Sequence, residues 1–318
     1  MSDNRIRLIS IAGPTASGKT SLSVQLAKLL GGEIVSADSM QIYKSMDIAT
    51  AKPTKEEMEG IPHHLMDFVA PGEMYSVAQY VSDATCAVED IVSRGKLPII
   101  VGGTGLYMDS LLSGVQFCEG EVDTQLRRKL QDKLQSVGID AMISELSEFD
   151  PESASRLAPQ RNPKRIIRAM EVYYTTGVTM TEQNKLSYSS PALFSPTKIA
   201  LTFRDREKLY ERINRRVDLM LEQGLVDEAK SFFAMNVGDT AKQAIGYKEL
   251  KPYFDDEKSL EECVESLKRS TRRYSKRQLT WFRRDDSIKW FYPDDYNTSE
   301  DLISNVCNYL AQEGFEFI

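Results

Sequence analysis

The first 118 residues alternate between two hydrophobic patterns. Residues 8–11 and 97–101 are short apolar runs, which are typical of buried strands, whereas residues 21–30 carry leucines at helical spacing. The leucines expected on the buried face of that helix are Leu22, Leu26 and Leu29. Strands that alternate with helices in this way predict a parallel sheet with crossover helices, so this part of the chain belongs to the α/β class.

The strand pattern disappears after residue 118. Helical patterns cover residues 125–137, 141–149 and 164–174, with polar connections between them. A tract rich in serine and proline follows at residues 187–196 and leads into an apolar strand at residues 197–203. We therefore predict a helical insertion domain over residues 119–187, after which the chain returns to the first sheet.

The remainder of the chain is mainly helical. Helices are predicted at residues 208–223, 226–235, 242–253 and 260–282. The predicted organisation is an α/β core that begins at residues 1–118 and is completed, together with a helical C-terminal region, by residues 188–318.

A complete phosphate-binding motif joins the first strand to the first helix. Its residues are Gly13, Pro14, Thr15, Ala16, Ser17, Gly18, Lys19 and Thr20. In such a loop, backbone N–H groups and the lysine hold linked phosphates at a helix N-terminus. A turn that only connected strand to helix would not need Lys19 beside a hydroxyl group. The motif in this context predicts a P-loop NTPase-like parallel sheet.

The acid that a nucleotide hydrolase carries after a second apolar strand is missing. The strand at residues 97–101 continues into a glycine turn with Thr104, and Asp38 instead follows the short strand at residues 33–37. Open α/β sheets bind ligands beyond the carboxyl ends of their strands. We therefore expect the phosphate loop, Asp38 and Thr104 to meet at one site, the alternatives being a helix N-cap for Asp38 and a plain turn for Thr104.

The charge of the chain is unevenly distributed. The net charge is −7, but residues 264–284 carry eight basic residues and one acid, so this segment sums to +7 and the rest to −14. The cations are Lys268, Arg269, Arg272, Arg273, Lys276, Arg277, Arg283 and Arg284. On a helix they occupy one half of the surface, which favours an anionic partner such as a nucleic acid over a solvated face of mixed charge.

Cysteine, histidine and apolar segments limit the remaining classes. Cys86, Cys118, Cys263 and Cys307 are scattered singly, which predicts reduced thiols rather than disulfides or a thiolate metal site. The only histidines, His63 and His64, are adjacent and are interpreted as structural. No apolar run approaches the roughly 20 residues of a membrane span, and the N-terminus shows no signal-peptide pattern. We expect a cytoplasmic protein without a membrane partner.

Six segments, taken together and in order, resemble the tRNA dimethylallyltransferase family. They are residues 13–20, 38–53, 62–67, 102–107, 243–248 and 276–283. Except for the first, each would be a weak signal alone. The resemblance covers nearly the whole chain and implies transfer of a dimethylallyl group from dimethylallyl diphosphate to N6 of the adenine 3′-adjacent to the anticodon, with release of diphosphate.

The resemblance also implies roles for individual residues. Asp38 and Thr104 become the catalytic residues, with Asp38 accepting a proton from N6. Residues 13–20 and Arg216, and less strongly Arg212, become the diphosphate site, and the hydroxyl of Thr20 becomes a ligand of the cofactor Mg²⁺.

The expected macromolecular partner is the anticodon stem-loop of tRNA. The residues implied to bind it are Asp38, Ser39, Met40, Gln41, Lys164, Arg165, Ile166, Ile167, Arg168, Gln243, Ala244, Ile245, Gly246, Tyr247, Lys248, Lys276, Arg277, Gln278, Trp281 and Arg283. Trp281 and Tyr43 are candidate stacking platforms or core residues. We expect a monomer.

Three other functions remain open from the sequence. A P-loop kinase of a small metabolite would share the first 120 residues but would leave the basic helix unexplained. An adenylate isopentenyltransferase would act on free adenine nucleotides and would not need that helix. An RNA-binding GTPase is suggested only by Asn184 and Lys185, because Ser187 stands where the guanine-reading aspartate belongs.

Overall fold

The computed structural model describes residues 5–115, 123–187 and 192–318. The chain divides into two compact units, one comprising residues 1–112 and 193–318 and the other residues 113–192. The predicted boundary between residues 118 and 119 lies outside the described residues, as does Cys118. The predicted boundary after residue 187 adjoins residues 188–191, which also lie outside them.

The first unit contains a parallel sheet, which has six strands in the described part of the chain. These are β1 (Ile6–Ala12), β2 (Gly32–Ala37), β3 (His63–His64), β4 (Leu97–Gly102), β5 (Phe194–Leu201) and β6 (Lys289–Phe291). Their order is β3-β2-β4-β1-β5-β6, and each neighbouring pair is parallel. The predicted α/β class with a parallel sheet is confirmed.

Helices fill most of the remaining described chain. They are α1 (Lys19–Leu30), α2 (Lys55–Met58), α3 (Val77–Ser93), α4 (Gly105–Leu112), α5 (Thr124–Phe149), α6 (Pro151–Leu157), α7 (Pro163–Thr176), α8 (Met180–Ser187), α9 (Arg206–Glu222), α10 (Leu225–Ala234), α11 (Tyr247–Phe254), α12 (Leu260–Phe282) and α13 (Ser299–Gln312). Short 3₁₀ turns lie at Ala158–Gln160, Ala241–Gln243 and Pro293–Asp295. No helix among the described residues is both long and apolar enough to cross a membrane.

The sheet is covered by helices on both faces. Alternate strand residues such as Leu8 and Ile100 pack against α3 and α4, whereas Ile9 and Ile99 pack against α1 and α13 on the opposite face. Strands buried on both faces read as continuous apolar runs, which is why β1 and β4 stand out in the sequence. Burying each such side chain contributes roughly 1.5–3 kcal/mol.

The helices after β5 form a further core with a segment that follows Asp38. Residues of α9–α12 pack around Ile42, Tyr43 and Met46, each 1% exposed or less. Tyr43 is therefore a core residue rather than a stacking platform. This core holds α9 and α12 against the loops at the carboxyl edge of the sheet.

The second unit is helical and has its own core. Leu146 and Ile166 are fully buried there among side chains of α5, α6 and α7. Gly138, at a φ of +80°, interrupts α5, so its two parts correspond to the helices predicted at residues 125–137 and 141–149.

Three local predictions differ from the structure. The helix predicted at residues 242–253 begins only at Tyr247, because Gly246 adopts a φ of +116°, outside the helical region. The strand predicted at residues 197–203 instead spans Phe194–Leu201, since it pairs along the full length of β1. Leu29 is 37% exposed, and Leu30 continues the four-residue spacing of Leu22 and Leu26 into the core.

Candidate active site

Three neighbouring strands deliver the candidate residues to one edge of the sheet. The phosphate loop follows β1, Asp38 follows β2 and Thr104 follows β4, and these three strands are adjacent in the order β2-β4-β1. Because the strands are parallel, their carboxyl ends lie at the same edge. The structure therefore brings together the three groups that the sequence placed at strand ends.

The phosphate loop has a tightly folded backbone. Gly13 has a φ of +142°, and a Cβ there would lie 2.3 Å from the carbonyl oxygen of Leu201, so only glycine fits. Helix α1 begins without a side-chain cap and without an acid in its first turn. Its first backbone N–H groups and the positive end of its dipole are therefore directed at the position where a phosphate would bind.

Lys19 is the half-buried cation of this loop. Its Nζ donates to the carbonyl oxygen of Pro14 at 2.7 Å. Burial, reinforced by the charge of Arg216, lowers the pKa of Lys19 from 10.5 to about 7. An anion bound beside Lys19 would restore its charge.

Arginines of α9 contact the same loop. Arg212 donates from Nε to the carbonyl oxygen of Ala16 at 3.0 Å, and Arg216 donates from Nη1 to Oγ1 of Thr15 at 3.2 Å. Together with Arg212 and Arg216, Arg215 lines a cleft at the start of α1. Burial lowers the pKa of Arg216. The sequence suggested Arg216 and Arg212, and the four-residue spacing between them puts both on one helical face, whereas Arg215 was missed.

Asp38 is held by the backbone that follows it. Its Oδ1 accepts hydrogen bonds from the N–H groups of Met40 at 2.9 Å and Gln41 at 3.4 Å. Burial raises the pKa of Asp38, while these hydrogen bonds and the charges of Lys19 and Arg216 act in the opposite direction. The residues after Asp38 form turns rather than a helix, so the carboxylate caps a turn and is not a helix N-cap.

Thr104 connects the glycine turn to the segment after Asp38. Its N–H donates to the carbonyl oxygen of Ala37 at 3.1 Å, and its Oγ1 accepts from the N–H of Ser39 at 3.0 Å. The same hydroxyl lies 3.3 Å from Oγ of Ser39 and donates to it. Thr104 therefore fixes the position of the chain next to Asp38.

A cavity of about 260 Å³ joins these groups to the C-terminal helices. Its lining includes Lys19, Thr20 and Asp38 from the strand ends, and residues 243–246 with Lys248 from the C-terminal region. The apolar side chains of Ile213, Val217, Met220 and Leu267 also line it. The cavity thus combines cationic groups, a carboxylate and apolar side chains.

Tyr274 also lines the cavity and was not among the sequence-predicted site residues. Burial, with the charge of Asp38, raises the pKa of this phenol. Tyr274 precedes Gln278 by one helical turn, and this spacing is the signal that could have identified it.

The structure divides the residues predicted to bind RNA into two groups. Ser39, Met40, Gln41, Ala244, Ile245 and Arg277 line the cavity with the residues named above. Lys276 and Arg283 are exposed on or just after α12, and Lys164, Arg165 and Arg168 are exposed on α7. Of these residues, Ala244 is 2% exposed, whereas the other side chains named in this paragraph are exposed or half-buried.

Several other residues predicted to bind RNA are occupied inside the protein. Ile166 and Ile167 are 0% and 7% exposed in the core of the second unit, because they occupy the apolar face of α7. Tyr247 is 0% exposed and stacks on Phe232, with ring centroids 3.9 Å apart. The side chains of these three residues are not available for direct contact with RNA.

Trp281 and Gln278 also have partners within the protein. Trp281 packs against Gly105, where an added Cβ would lie 2.2 Å from its ring, and its Nε1 donates to Asp109 at 2.6 Å. Gln278 is 5% exposed and bonds to the backbone of Thr15 and Gly103. Trp281 thus serves as a packing residue rather than a stacking platform, and Gln278 contacts the phosphate loop.

The histidines are not among the residues that line this cavity, and both have local partners. Nε2 of His64 is 2.7 Å from Glu33, and Nδ1 of His63 is 2.8 Å from the carbonyl oxygen of Ile61. The bidentate contact with Arg94, together with His64, lowers the pKa of Glu33 to about 2. These contacts tie β2 to β3 and α3 and are structural.

Known proteins are similar to this chain in sequence. A family model described as IPP transferase matches residues 41–285, and one described as isopentenyl transferase matches residues 6–71. The tRNA dimethylallyltransferase of Caldanaerobacter subterraneus subsp. tengcongensis is 48% identical over 310 residues, which is 96% of this chain and 98% of that protein. The tRNA dimethylallyltransferase of Halalkalibacterium halodurans is 44% identical over 306 residues, which is 96% of this chain and 96% of that protein.

Solved structures agree with these relatives. The full-length tRNA isopentenylpyrophosphate transferase of Bacillus halodurans has a TM-score of 0.71 and 44% identity, and the match covers 96% of both chains. A eukaryotic dimethylallyltransferase acting on tRNA has a TM-score of 0.79 and 33% identity, over 96% of this chain and 80% of that one. The match extends through the phosphate loop, Asp38 and the basic helix α12, and the chain belongs to the IPP transferase family.

Proposed function

We propose that this protein transfers a dimethylallyl group from dimethylallyl diphosphate to N6 of the adenine 3′-adjacent to the anticodon of tRNA, releasing diphosphate. The observation that carries the proposal is the cavity itself, whose lining combines Thr15, Lys19 and Thr20 of the phosphate loop, the carboxylate of Asp38 and apolar side chains. Membership of the IPP transferase family supports the same reaction class.

We propose further that the sheet is of the P-loop NTPase type. The loop between the central strand β1 and α1 carries the complete motif, and the strand order places β4 between β1 and β2. An allylic diphosphate offers the same two linked phosphates as a nucleotide, so this loop can bind it without chemistry at a γ-phosphate. The absence of a hydrolase acid after β4 is consistent with this use.

The leaving group would lie between the phosphate loop and α9. Backbone N–H groups at the start of α1, the ammonium of Lys19 and the guanidinium of Arg216 would stabilise the charge that develops as diphosphate departs. The contact of Arg216 with Thr15 already places this guanidinium at the loop.

The donor set fits a magnesium ion held mainly by the substrate. Thr20 and Asp38 line the same cavity, while no group of three or more histidine, cysteine or acidic side chains that could hold a metal occurs among the described residues. Mg²⁺ in proteins is commonly held by one or two side chains, substrate phosphates and water. When bound, the ion would neutralise charge on the diphosphate, with the Thr20 hydroxyl as its ligand.

Asp38 would accept the proton that the acceptor nitrogen loses. In the transfer, the N6 nitrogen forms a bond to the first carbon of the allyl group as the bond from that carbon to diphosphate oxygen breaks. The proton that N6 loses passes to the carboxylate of Asp38, help of a kind worth about 10²- to 10⁴-fold in rate. Burial raises the pKa of Asp38, which makes the ionised form a stronger base.

The macromolecular acceptor would approach from the side of α12. A base within an anticodon loop must leave its stack to reach the cavity, and contacts with flanking nucleotides offset that cost. Arg277 lines the cavity and Lys276 is exposed beside it, so cations continue from the cavity onto the surface of the helix. The second unit adds the exposed cations of α7 as a further candidate surface.

Mass spectrometry of an anticodon stem-loop tests the proposal. Unmodified RNA incubated with the protein, Mg²⁺ and dimethylallyl diphosphate should gain one C₅H₈ unit, and fragmentation should place it on the adenine 3′ to the anticodon. Brisk phosphoryl transfer from ATP without any gain of prenyl mass would instead identify a kinase. Faster prenylation of AMP than of RNA would identify an adenylate isopentenyltransferase.

A further inference from the structure

A carboxylate outside the phosphate site holds one wall of the cavity. Glu228, in the first turn of α10, accepts through Oε2 from the N–H groups of Asp47 at 2.9 Å and Ile48 at 2.8 Å. Its Oε1 accepts from the N–H of Ala49 at 2.9 Å and from the hydroxyl of Tyr247 at 2.8 Å. We call these five residues the Glu228 cluster.

The cluster joins two segments that line the cavity. Ala49 and Gly246 both face it, and a Cβ on Gly246 would lie 2.8 Å from Cβ of Ala49, so the two segments are in close contact. Helix α10 supplies the two residues that hold Tyr247. Phe232 stacks on the ring of Tyr247, and Glu228 accepts a hydrogen bond from its hydroxyl. The position of this wall therefore depends on α10.

Three convergent N–H groups are well matched by an anionic acceptor with two oxygens. A carboxylate has that capacity, and hydrogen bonds to a charged acceptor are stronger than those to a neutral one. A glutamine at position 228 would keep one acceptor oxygen and would direct an NH₂ group at N–H donors. Glu228→Gln is therefore a nearly isosteric change that we expect to loosen the segment.

The segment held by Glu228 in turn orients Gln41. Nε2 of Gln41 donates to the carbonyl oxygens of Thr50 at 3.2 Å and Ala51 at 3.1 Å. Carbonyl oxygens only accept, so the amide nitrogen must face them and both its protons are used. Gln41 also lines the cavity, and Oε1 is the polar atom that its side chain has left to offer a ligand.

An acceptor at this position distinguishes bases by their exocyclic group. The N6 amino group of adenine donates two protons, whereas inosine presents an oxygen there and would be repelled. We propose that Glu228 is a positioning residue that sets selectivity for an amino base, acting through residues 47–51 and the amide of Gln41. This inference rests on the proposed function, because it takes adenine as the acceptor.

The test compares two stem-loops that differ only in carrying adenine or inosine at the target position. Their dissociation constants are measured by fluorescence anisotropy without the allylic substrate. We expect the wild-type protein to favour adenine roughly five- to tenfold or more, and Glu228→Gln to lose most of that preference. Asp227→Asn, an exposed carboxylate beside Glu228 on α10, is the matched control and should keep the wild-type ratio.

A double-mutant cycle tests whether Glu228 acts through Gln41. In a Gln41→Ala background, Glu228→Gln should change the ratio of the two dissociation constants no further, because the group it orients is gone. Equal weakening of both stem-loops by Glu228→Gln, or a further loss of preference in the Gln41→Ala background, would overturn the inference.

Hydrogen exchange gives a readout that needs neither RNA nor a stable variant. In the wild-type protein the amides of residues 47–49 should exchange far more slowly than open-loop amides, since all three are bonded to Glu228. Exchange at open-loop rates would contradict the inference. A wild-type protein that neither favours nor prenylates the adenine stem-loop would count against the proposed function instead, and slow exchange at these amides would still place Glu228 as the group that holds the wall.

Discussion

Gln278 accepts a hydrogen bond from the backbone N–H of Thr15 at 2.9 Å, although 263 residues separate the two in sequence. The Nε2 atom of the same amide donates to the carbonyl oxygen of Gly103 at 2.9 Å. One buried side chain therefore ties the phosphate loop to the turn that carries Thr104. Because Gln278 belongs to α12, the basic helix is directly connected to the proposed site of diphosphate release.

Gln278→Ala should weaken the site at the loop rather than at the RNA surface. The change removes the partner of the half-buried N–H of Thr15 and of the buried carbonyl of Gly103, and each buried group left unpaired costs about 1–3 kcal/mol. We expect kcat/KM for prenylation to fall roughly 10- to 100-fold and the affinity for inorganic diphosphate to fall with it, while stem-loop affinity changes little. Initial rates and equilibrium titrations measure these quantities.

Thr280→Ala, an exposed change two positions further along α12, is the control for Gln278 and should leave all three quantities unchanged. If Gln278→Ala weakened RNA binding and left diphosphate affinity intact, the side chain would act as the RNA contact that the sequence first suggested.

Asp38→Asn separates proton transfer from binding. The Oδ1 atom of asparagine can still accept from the N–H groups of Met40 and Gln41, so the local backbone should be retained. We expect the single-turnover rate to fall about 10²- to 10⁴-fold, with stem-loop affinity within a few-fold of wild type. A variant with a normal single-turnover rate would remove Asp38 from catalysis.

The same substitution should stabilise the folded protein at neutral pH. Burial raises the pKa of Asp38 above 3.8, so the folded state binds this proton more tightly than the unfolded state. The contribution of Asp38 to stability then falls as pH rises from 3.8 through the raised pKa, and the ionised carboxylate is a cost above it. Asp38→Asn should therefore raise Tm more at pH 7 than at pH 3, and an equal shift at both values would contradict this origin.

Local patterns in the sequence predicted the elements that depend on neighbouring residues. The bounds of α12 were predicted correctly because Ser259 and Glu262 form a capping box and one face of the helix is apolar. The strand ends that carry the phosphate loop, Asp38 and Thr104 were also predicted correctly, because buried parallel strands are continuous apolar runs in the sequence.

Several predicted RNA-facing side chains instead have partners inside the protein, and these contacts join distant parts of the chain. Tyr247 lies within a motif whose other members line the cavity, yet its ring packs on Phe232 and is fully buried. Trp281 lies in a basic helix, yet it is held by Gly105 and Asp109. Glu228 carried no sequence signal, because its partners at residues 47–49 are about 180 positions away.

Lys19 should take up a proton when diphosphate binds. Its pKa is lowered to about 7 in the protein, so at pH 8 it is mostly neutral, and a bound anion would raise that pKa again. We expect calorimetric titration with inorganic diphosphate, in two buffers of different ionisation enthalpy, to show uptake approaching one proton more for wild type than for Lys19→Met. Equal proton uptake by the two proteins would show that Lys19 does not change its charge on binding.

Arg273 and Lys276 should contribute to the salt dependence of RNA binding. Both are exposed on α12, whereas Lys268 on the same helix is paired with Asp218 at 2.7 Å. Each cation that neutralises a phosphate adds about 0.7 to the slope of log affinity against log salt for a single strand, so the double change to glutamine should reduce the slope by about 1.4. Stem-loop titrations over a series of salt concentrations measure it, with inorganic diphosphate affinity expected to stay unchanged.

Lys268→Gln is the matched control for this measurement. Its ammonium is already neutralised by Asp218, so RNA would displace few counterions from it and the slope should remain that of wild type. An unchanged slope in the Arg273 and Lys276 variant would place the phosphate contacts elsewhere, and the exposed Lys164, Arg165 and Arg168 of α7 would be the next cations to neutralise. A reduced slope with unchanged diphosphate affinity would assign this face of α12 to the RNA backbone, because Arg273 and Lys276 carry the charge without lining the cavity.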